Sequence, residues 1–223
     1  IGSMNDLKQH TVISFEDCVN DGSVTTSDVF AGGLVGQILF NSDMTVTISN
    51  FINNGNITGS NYIGGFVGDI WSNTNTVLIT LNSTNSGTVS GSGLCVGGFV
   101  GLIYKNIDMT MAISNSINDG AINGGDDSVG GFIGYIMGNT DTTMTISNSI
   151  NNGSVNGSQN YVGGFVGDIS SNTNMTMTIS SSINNGNTTG SYRVGGFVGD
   201  IWHNTNMTMT ISNSTNNGIV TGS

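Results

Sequence analysis

The strongest constraint on the fold is an internal repeat of 32–33 residues that fills nearly the whole 223-residue chain. One element, a glycine pair followed by an apolar residue, Val or Ile, and Gly, begins at Gly32, Gly64, Gly97, Gly130, Gly163 and Gly195. The other, usually Asn-Asn-Gly, ends at Gly22, Gly55, Gly87, Gly120, Gly153, Gly186 and Gly218. The step from the first element to the second is always 23 residues. The chain is therefore predicted to be successive copies of one structural unit.

A period near 33 also occurs in helical repeats such as ankyrin, and composition decides between the two. The units are rich in Thr, Ser, Asn, Val and Ile, whereas helices favour Ala, Leu, Glu and Lys. Met175, Met177 and Ile179 alternate with Thr176 and Thr178, which predicts a half-buried strand. The chain has no proline, as expected where every stacked strand residue must donate its N–H.

Equivalent positions of successive units carry nearly identical residues. The position after the glycine pair reads Leu34, Phe66, Phe99, Phe132, Phe165 and Phe197. Four residues further on stand Ile38, Ile70, Ile103, Ile136, Ile169 and Ile201. A third short strand is marked by Val24, Ile57, Val89, Ile122, Val155 and Val220. These columns predict a right-handed parallel β-solenoid of about seven rungs with three short strands per rung, each rung burying its face on the next.

The domain organisation follows from the extent of the repeat. Residues 1–10 are interpreted as a tag-derived lead-in and 11–223 as a single solenoid domain. At about 4.8 Å per rung, the domain would be roughly 30–35 Å long. We expect the domain to be a segment of a longer array, and we expect exposed rung ends to favour end-to-end or lateral association of copies.

A polar column is predicted inside the solenoid, five residues before the turn glycine. Its members are Asp17, Asn50, Asn82, Asn115, Asn148, Ser181 and Asn213. Buried amides must be hydrogen-bonded, and identical amides stacked rung upon rung satisfy one another. The asparagines at 50, 82, 115, 148 and 213 are therefore predicted to form an internal ladder.

The repeat resembles a known family. The unit running from Ile146 through Asn-Asn-Gly to Gly157, followed by Val-Gly-Gly-Phe-Val-Gly at residues 162–167, is similar to the GLUG repeat. This chain has Phe where the family usually has Leu in five of six copies. The resemblance covers the chain from about residue 11 and implies an extracellular repeat region of a large surface or secreted adhesin-like protein. It brings no catalytic residue with it.

The net charge excludes partners that are themselves strongly negative. The net charge is −11 with only three basic residues, so no basic patch for nucleic acid or an anionic membrane can be assembled. No apolar run is long enough to span a bilayer. Cys18 and Cys95 have no metal-ligand spacing and are predicted to be isolated thiols, and no cofactor or metal is expected.

An acidic column offers the one candidate for chemistry. Asp69, Asp168 and Asp200 share it, and the last two lie on adjacent rungs. Such a pair suits a retaining glycosidase, with carboxyl groups ~5–5.5 Å apart, or a calcium ion. A solvated acidic edge is the interpretation favoured by Gln37 and Leu102 in the same column.

Two outward columns are candidate binding faces. Thr-X-Thr pairs stand at Thr143, Thr145, Thr176, Thr178, Thr208 and Thr210, which resembles the arrays of ice-binding proteins. A second column holds Trp71, Tyr104 and Trp202, aromatic side chains suited to stacking on sugars or contacting proteins. The sequence thus predicts a non-catalytic stalk or adhesion scaffold. The alternative is a ligand-binding face for ice, glycan or a host protein.

Overall fold

The computed structural model describes residues 1–27 and 29–223, and these residues form strands and no helix. The chain winds into parallel sheets stacked as a β-solenoid of about seven turns, consistent with the predicted right-handed parallel β-helix. Each full turn crosses the same five sheets, named A to E in chain order, and neighbouring strands pair in parallel. None of the described residues belongs to a helix that could cross a membrane.

The strands of each sheet come from successive turns. Sheet A contains Ser3–Asn5, Val35–Leu39, Val67–Trp71, Val100–Tyr104, Ile133–Met137, Val166–Ser170 and Val198–Trp202. Sheet B contains Thr11–Glu16, Ser42–Ser49, Thr74–Leu81, Thr110–Ser114, Thr143–Ser147, Thr176–Ser180 and Thr208–Ser212. Sheet C contains Val19–Asn20, Ile52–Asn53, Thr84–Asn85, Ile117–Asn118, Ile150–Asn151, Ile183–Asn184 and Thr215–Asn216. Sheet D contains Val24–Thr25, Ile57–Gly59, Val89–Gly91, Ile122–Gly124, Val155–Gly157, Thr188–Gly190 and Val220–Gly222. Sheet E contains Ala31–Gly32, Ile63–Gly64, Val96–Gly97, Val129–Gly130, Asn160–Gly163 and Tyr192–Gly195.

A full turn therefore carries five short strands instead of the three predicted. The extra breaks are corners at residues with left-handed backbone, such as Tyr62, Ser72 and Asn82, whose φ values are 55°, 53° and 49°. Tyr and Ser rarely adopt this region, so the sequence gives little warning of a corner at these positions. The stacked backbone bonds of neighbouring turns hold the corners in place, as when Ser72 N–H donates to the Tyr104 carbonyl at 2.9 Å.

The glycine pair and the Asn-Asn-Gly turn meet across the interior, which explains their constant spacing. A Cβ added to Gly98 would lie 2.8 Å from Asn118 Oδ1 and 2.1 Å from the Gly131 carbonyl of the next turn. A Cβ on the turn glycine Gly87 would lie 2.0 Å from the Gly55 carbonyl. These glycines are required by close backbone packing, since neither has a left-handed φ.

The predicted apolar columns form the core. Phe99, Phe132 and Phe165 are fully buried and stack with ring centroids 4.6 and 4.8 Å apart. Isoleucines 38, 70, 103, 136 and 169 are buried beside them. A smaller apolar cluster between sheets D and E contains residues such as Ile57, Val89 and Ile122.

The predicted ladder of Asn50, Asn82, Asn115, Asn148 and Asn213 is wrong in position. All five side chains are exposed, and each residue has a left-handed φ of 49–52°. The left-handed residue ends the sheet B strand and breaks its alternation, so inward and outward sides cannot be counted through it. Asparagine suits this corner because it tolerates left-handed backbone better than most residues.

The internal ladder exists two residues before the turn glycine. Each amide Nδ2 donates to Oδ1 of the equivalent residue in the next turn at 2.7–2.8 Å. Its members are Asn20, Asn53, Asn85, Asn118, Asn151, Asn184 and Asn216.

Two further internal ladders stabilise the corners on either side of sheet B. One runs through Asn41, Asn73, Asn106, Asn139, Asn172 and Asn204 at 2.9–3.0 Å. In the other, a backbone N–H donates to the serine Oγ of the next turn, through Ser83, Ser116, Ser149, Ser182 and Ser214. Buried polar groups in this solenoid are therefore satisfied by the equivalent group in the neighbouring turn.

The first ten residues are partly built into the solenoid, contrary to the lead-in interpretation. Ser3–Asn5 pairs in parallel with Val35–Leu39, and Met4 is 6% exposed. Leu7 N–H donates to Oδ1 of Asn41, the first residue of the ladder from Asn41 to Asn204, at 2.8 Å. Sheet A therefore begins at Ser3.

Candidate functional site

The outward face of sheet A carries an elongated groove. Its floor column consists of Gln37, Asp69, Leu102, Tyr135, Asp168 and Asp200. One wall is the column Leu39, Trp71, Tyr104, Met137, Ser170 and Trp202, at the end of each sheet A strand. The other side is lined by Phe30, Tyr62 and Cys95, each of which directly precedes a sheet E strand. Near the far end of the column, Arg193 of sheet E pairs with Asp200 of the floor. We call this feature the aromatic groove.

Two cavities occupy the half of the aromatic groove nearer the N-terminus. A cavity of about 110 Å³ is lined by Phe30, Tyr62, Asp69, Trp71, Leu102 and Tyr104. An adjacent cavity of about 260 Å³ is lined by Tyr62, Leu94, Cys95, Leu102, Tyr104, Tyr135 and Met137. Since Tyr62, Leu102 and Tyr104 line both, the cavities are neighbours along the solenoid axis.

Asp69 lies at the floor of the smaller cavity and is 1% exposed. Its Oδ2 accepts a hydrogen bond from Gln37 Nε2 at 2.8 Å, while its Oδ1 has no partner among the described residues. Burial raises the pKa of Asp69 to about 6, against smaller opposing effects of the Gln37 bond and the Ile70 N–H. The solvated acidic edge predicted for this column is wrong here, because the aromatic walls cover the carboxyl group.

Asp168 is the second buried carboxyl of the floor, also 1% exposed. Burial raises its pKa to about 7; the Trp202 hydrogen bond opposes this shift and the neighbouring Asp200 adds to it. Trp202 Nε1 donates to Asp168 Oδ2 at 3.4 Å, whereas Asp168 Oδ1 has no partner among the described residues. Asp200 is half-buried and paired with Arg193, so the adjacent carboxyls have different environments.

The predicted aromatic column is only partly a continuous surface. Trp71 and Tyr104 are neighbours, with ring centroids 6.2 Å apart. Met137 and Ser170 separate Tyr104 from Trp202, which packs against His203 with centroids 4.2 Å apart. The aromatic residues therefore form one cluster near Trp71 and a separate one near Trp202.

The predicted threonine array lies on the outward face of sheet B. Thr143, Thr176 and Thr208 are Cα partners in register, and so are Thr145, Thr178 and Thr210. Closer to the N-terminus the same columns contain Val77, Ile79 and Ala112. The structure thus provides three consecutive Thr-X-Thr rungs.

Two residues of the site, Phe30 and Tyr62, are not predicted from the sequence. They stack with ring centroids 5.5 Å apart and form the wall opposite Trp71. The available signal was weak: the position two residues before the glycine pair is aromatic in Phe30, Tyr62 and Tyr161.

Within the described ranges 1–27 and 29–223, no group of three or more His, Cys, Asp or Glu side chains is placed to bind a metal ion. Both cysteines are free. Burial raises the pKa of the Cys95 thiol well above its ordinary value, so the thiol is held protonated in the groove wall.

Fold and groove together define the class as a parallel β-solenoid with one aromatic outer face. No family model matches the chain, and no curated protein matches it. Among solved structures it is similar to a putative immunoglobulin A1 protease from Bacteroides ovatus, with a TM-score of 0.55 and 17% identity. The similarity covers 99% of this chain and 67% of the other. At this identity the likeness establishes the fold alone.

Proposed function

We propose that the chain is a non-catalytic repeat segment of an extracellular surface protein, acting as a structural stalk or adhesion scaffold. The observation that carries the proposal is the continuity of the internal ladders. Asn85, Asn118 and Asn151 each donate to the equivalent amide one turn later at 2.7–2.8 Å. The interior is thus organised for extension, one turn at a time.

The extracellular location and the adhesin-like role rest on the resemblance of the repeat to GLUG repeats. The structural similarity to the Bacteroides protein supports the solenoid fold. Host proteins, glycans and further copies of the chain are the proposed partners. The charge of −11 makes nucleic acid an unsuitable one.

Two measurements test the proposal. An antibody against residues 1–223 should label intact cells of the source organism, and labelling only after permeabilisation would contradict a surface location. Duplicating one unit, residues 131–163, should lengthen the particle by about 4.8 Å in small-angle scattering without loss of cooperative unfolding. An unfolded insertion would contradict the scaffold role.

A second candidate function is ice binding by the sheet B face. The observation favouring it is the register of Thr143, Thr176 and Thr208 with the parallel column at 145, 178 and 210. This alternative predicts thermal hysteresis that a central Thr178→Tyr substitution abolishes. A folded protein without hysteresis would contradict it.

A further inference from the structure

The Asp69 end of the aromatic groove is not explained by the solenoid architecture. Interior positions repeat from turn to turn, but the floor column has Gln37 one turn before Asp69 and Leu102 one turn after. Those residues fit the same backbone without a buried carboxyl. Burying one is unfavourable unless its hydrogen-bonding capacity is used, so Asp69 requires a separate reason.

Two buried polar atoms at this end lack partners. Asp69 Oδ1 and Trp71 Nε1 have no hydrogen-bond partner among the described residues, although unpaired buried polar atoms are rare. Both residues line the same cavity of about 110 Å³. An ionised carboxylate only accepts hydrogen bonds, and an indole N–H only donates them. The cavity thus combines one acceptor residue with one donor residue.

The remaining surfaces of the cavity are aromatic. Phe30 and Tyr62 stack at 5.5 Å with an interplanar angle of 22°. Trp71 and Tyr104 lie at 6.2 Å and 30°, and all four line the cavity. The cavity is smaller than the ~300–1,000 Å³ of typical small-molecule sites, and it continues along the groove past Tyr62. A ligand would therefore lie along the axis with one edge in the cavity.

Charge and hydrogen bonding select among ligand classes. The acidic chain and the Asp69 carboxyl disfavour an anion. A cation would pair with Asp69 but would leave the Trp71 N–H without an acceptor. A neutral hydroxyl both donates and accepts, so it satisfies Asp69 and Trp71 together, and the C–H faces of a sugar ring suit aromatic walls.

We propose that the Asp69 end of the aromatic groove binds a neutral carbohydrate, with a hydroxyl donating to Asp69 Oδ1, a ligand oxygen accepting from Trp71 Nε1, and the ring held between Tyr62 and Tyr104. This site deepens the proposed adhesion role, on which its biological meaning rests, by naming the ligand class and the residues that bind it.

The Asp168 end supplies the matched control. There Asp168 Oδ1 also has no partner among the described residues, but the indole N–H of Trp202 already donates to Asp168 Oδ2, so no unpaired indole N–H stands beside the carboxyl. Arg193 pairs with Asp200. The chain has two tryptophans, so Trp202→Phe leaves Trp71 as the sole tryptophan reporter of the Asp69 cavity.

The experiment begins with a printed array of neutral glucans, mannans, galactans and N-acetylhexosamine polymers. Soluble tetrasaccharides of the glycan class that the protein binds on the array are then titrated into the Trp202→Phe protein, and tryptophan fluorescence is measured. In the Trp202→Phe protein we expect a saturable change, and about tenfold weaker binding when Asp69→Asn or Tyr62→Ala is added. The control Asp168→Asn is measured by calorimetry in the protein that keeps Trp202, and it should bind within about twofold of the unsubstituted chain. Calorimetry measures Trp71→Phe, which keeps an aromatic ring, removes the N–H, and should bind about fivefold more weakly.

If the folded protein binds no neutral glycan on the array, the proposal is wrong and a trapped water is the partner of Asp69. Saturation by choline chloride and by no sugar would also overturn it in favour of a cation site. Equal effects of Asp69→Asn and Asp168→Asn would place the ligand elsewhere. Circular dichroism and thermal melts of each variant separate these results from unfolding, which would bear on the scaffold proposal instead.

Discussion

The interior of the solenoid and the aromatic groove obey opposite rules. Asn85, Asn118 and Asn151 make the same bonds in successive turns, whereas the groove floor changes from Asp69 to Leu102 to Tyr135 over the same rise. An interior residue bonds to its own equivalent, so a change in one turn leaves its neighbour unsatisfied. An outward residue can bond to the next turn, as Gln37 does to Asp69, but it does not need an identical neighbour, and Leu102 follows Asp69 without a polar group. This freedom allows one face to become a binding site.

The largest test of this contrast is a phenylalanine truncation. Phe132 is fully buried between Phe99 and Phe165, so Phe132→Ala should lower the free energy of unfolding by about 3–5 kcal/mol. Tyr104→Ala in the groove wall should cost about 1 kcal/mol, because Tyr104 is only half-buried. Urea denaturation measures both, and equal losses would show that the groove wall belongs to the core.

Two asparagines of one turn test the same difference between interior and surface positions. Asn118→Ala removes a bond to Asn151 at 2.7 Å, a bond to the Gly120 carbonyl at 3.0 Å and the acceptor for Asn85, so the expected loss is about 3 kcal/mol. Asn115→Gly alters an exposed left-handed corner that glycine also adopts, and it should change stability by about 0.5 kcal/mol or less. If Asn115→Gly lowered the free energy of unfolding more than Asn118→Ala in the same urea assay, the internal ladder would run through Asn115.

The third test is a pH dependence that belongs to the groove. The pKa values of Asp69 and Asp168 are raised to about 6 and about 7 by burial, so between about pH 4 and pH 7 the folded state holds protons that the unfolded state has released. The free energy of unfolding should therefore fall as pH rises through this window, and Asp168 should contribute more than Asp69 because its pKa is raised further.

Denaturation at both ends of the window measures this dependence in matched variants. The double variant Asp69→Asn with Asp168→Asn should flatten the profile, whereas Asp108→Asn, at an exposed corner, should leave its slope unchanged. An unaltered slope in the double variant would show that the two carboxyls are solvated in solution.

Much of the fold is predictable from the sequence because residues that pair between neighbouring turns recur at a fixed spacing in the repeat. The columns of Phe99 and Ile103 were assigned to the core from spacing alone, and both are buried. The number of sheets was not accessible, since corners at Tyr62 and Ser72 use left-handed backbone without glycine. The ladder was misplaced by three residues for the same reason: alternation was counted through the corner at Asn50.

The site was harder to predict than the fold. Outward residues of a strand are exposed by default, and that rule assigned Asp69 to solvent. Its burial depends on Phe30 and Tyr62, whose corner positions relative to sheet A become known only once the turn is closed in three dimensions. Trp71 and Tyr104 were recognised because their column is aromatic in the sequence itself.

The asparagine ladders also give the molecule a direction. In the ladder from Asn20 to Asn216, every side-chain bond runs from an Nδ2 in one turn to an Oδ1 in the following turn, and the ladder from Asn41 to Asn204 runs the same way. The amide dipoles therefore add along the axis, and hydrogen bonds in such a chain polarise one another. A turn stacked in reverse would set donor against donor. Two copies could therefore continue these ladders across their junction only by stacking head to tail.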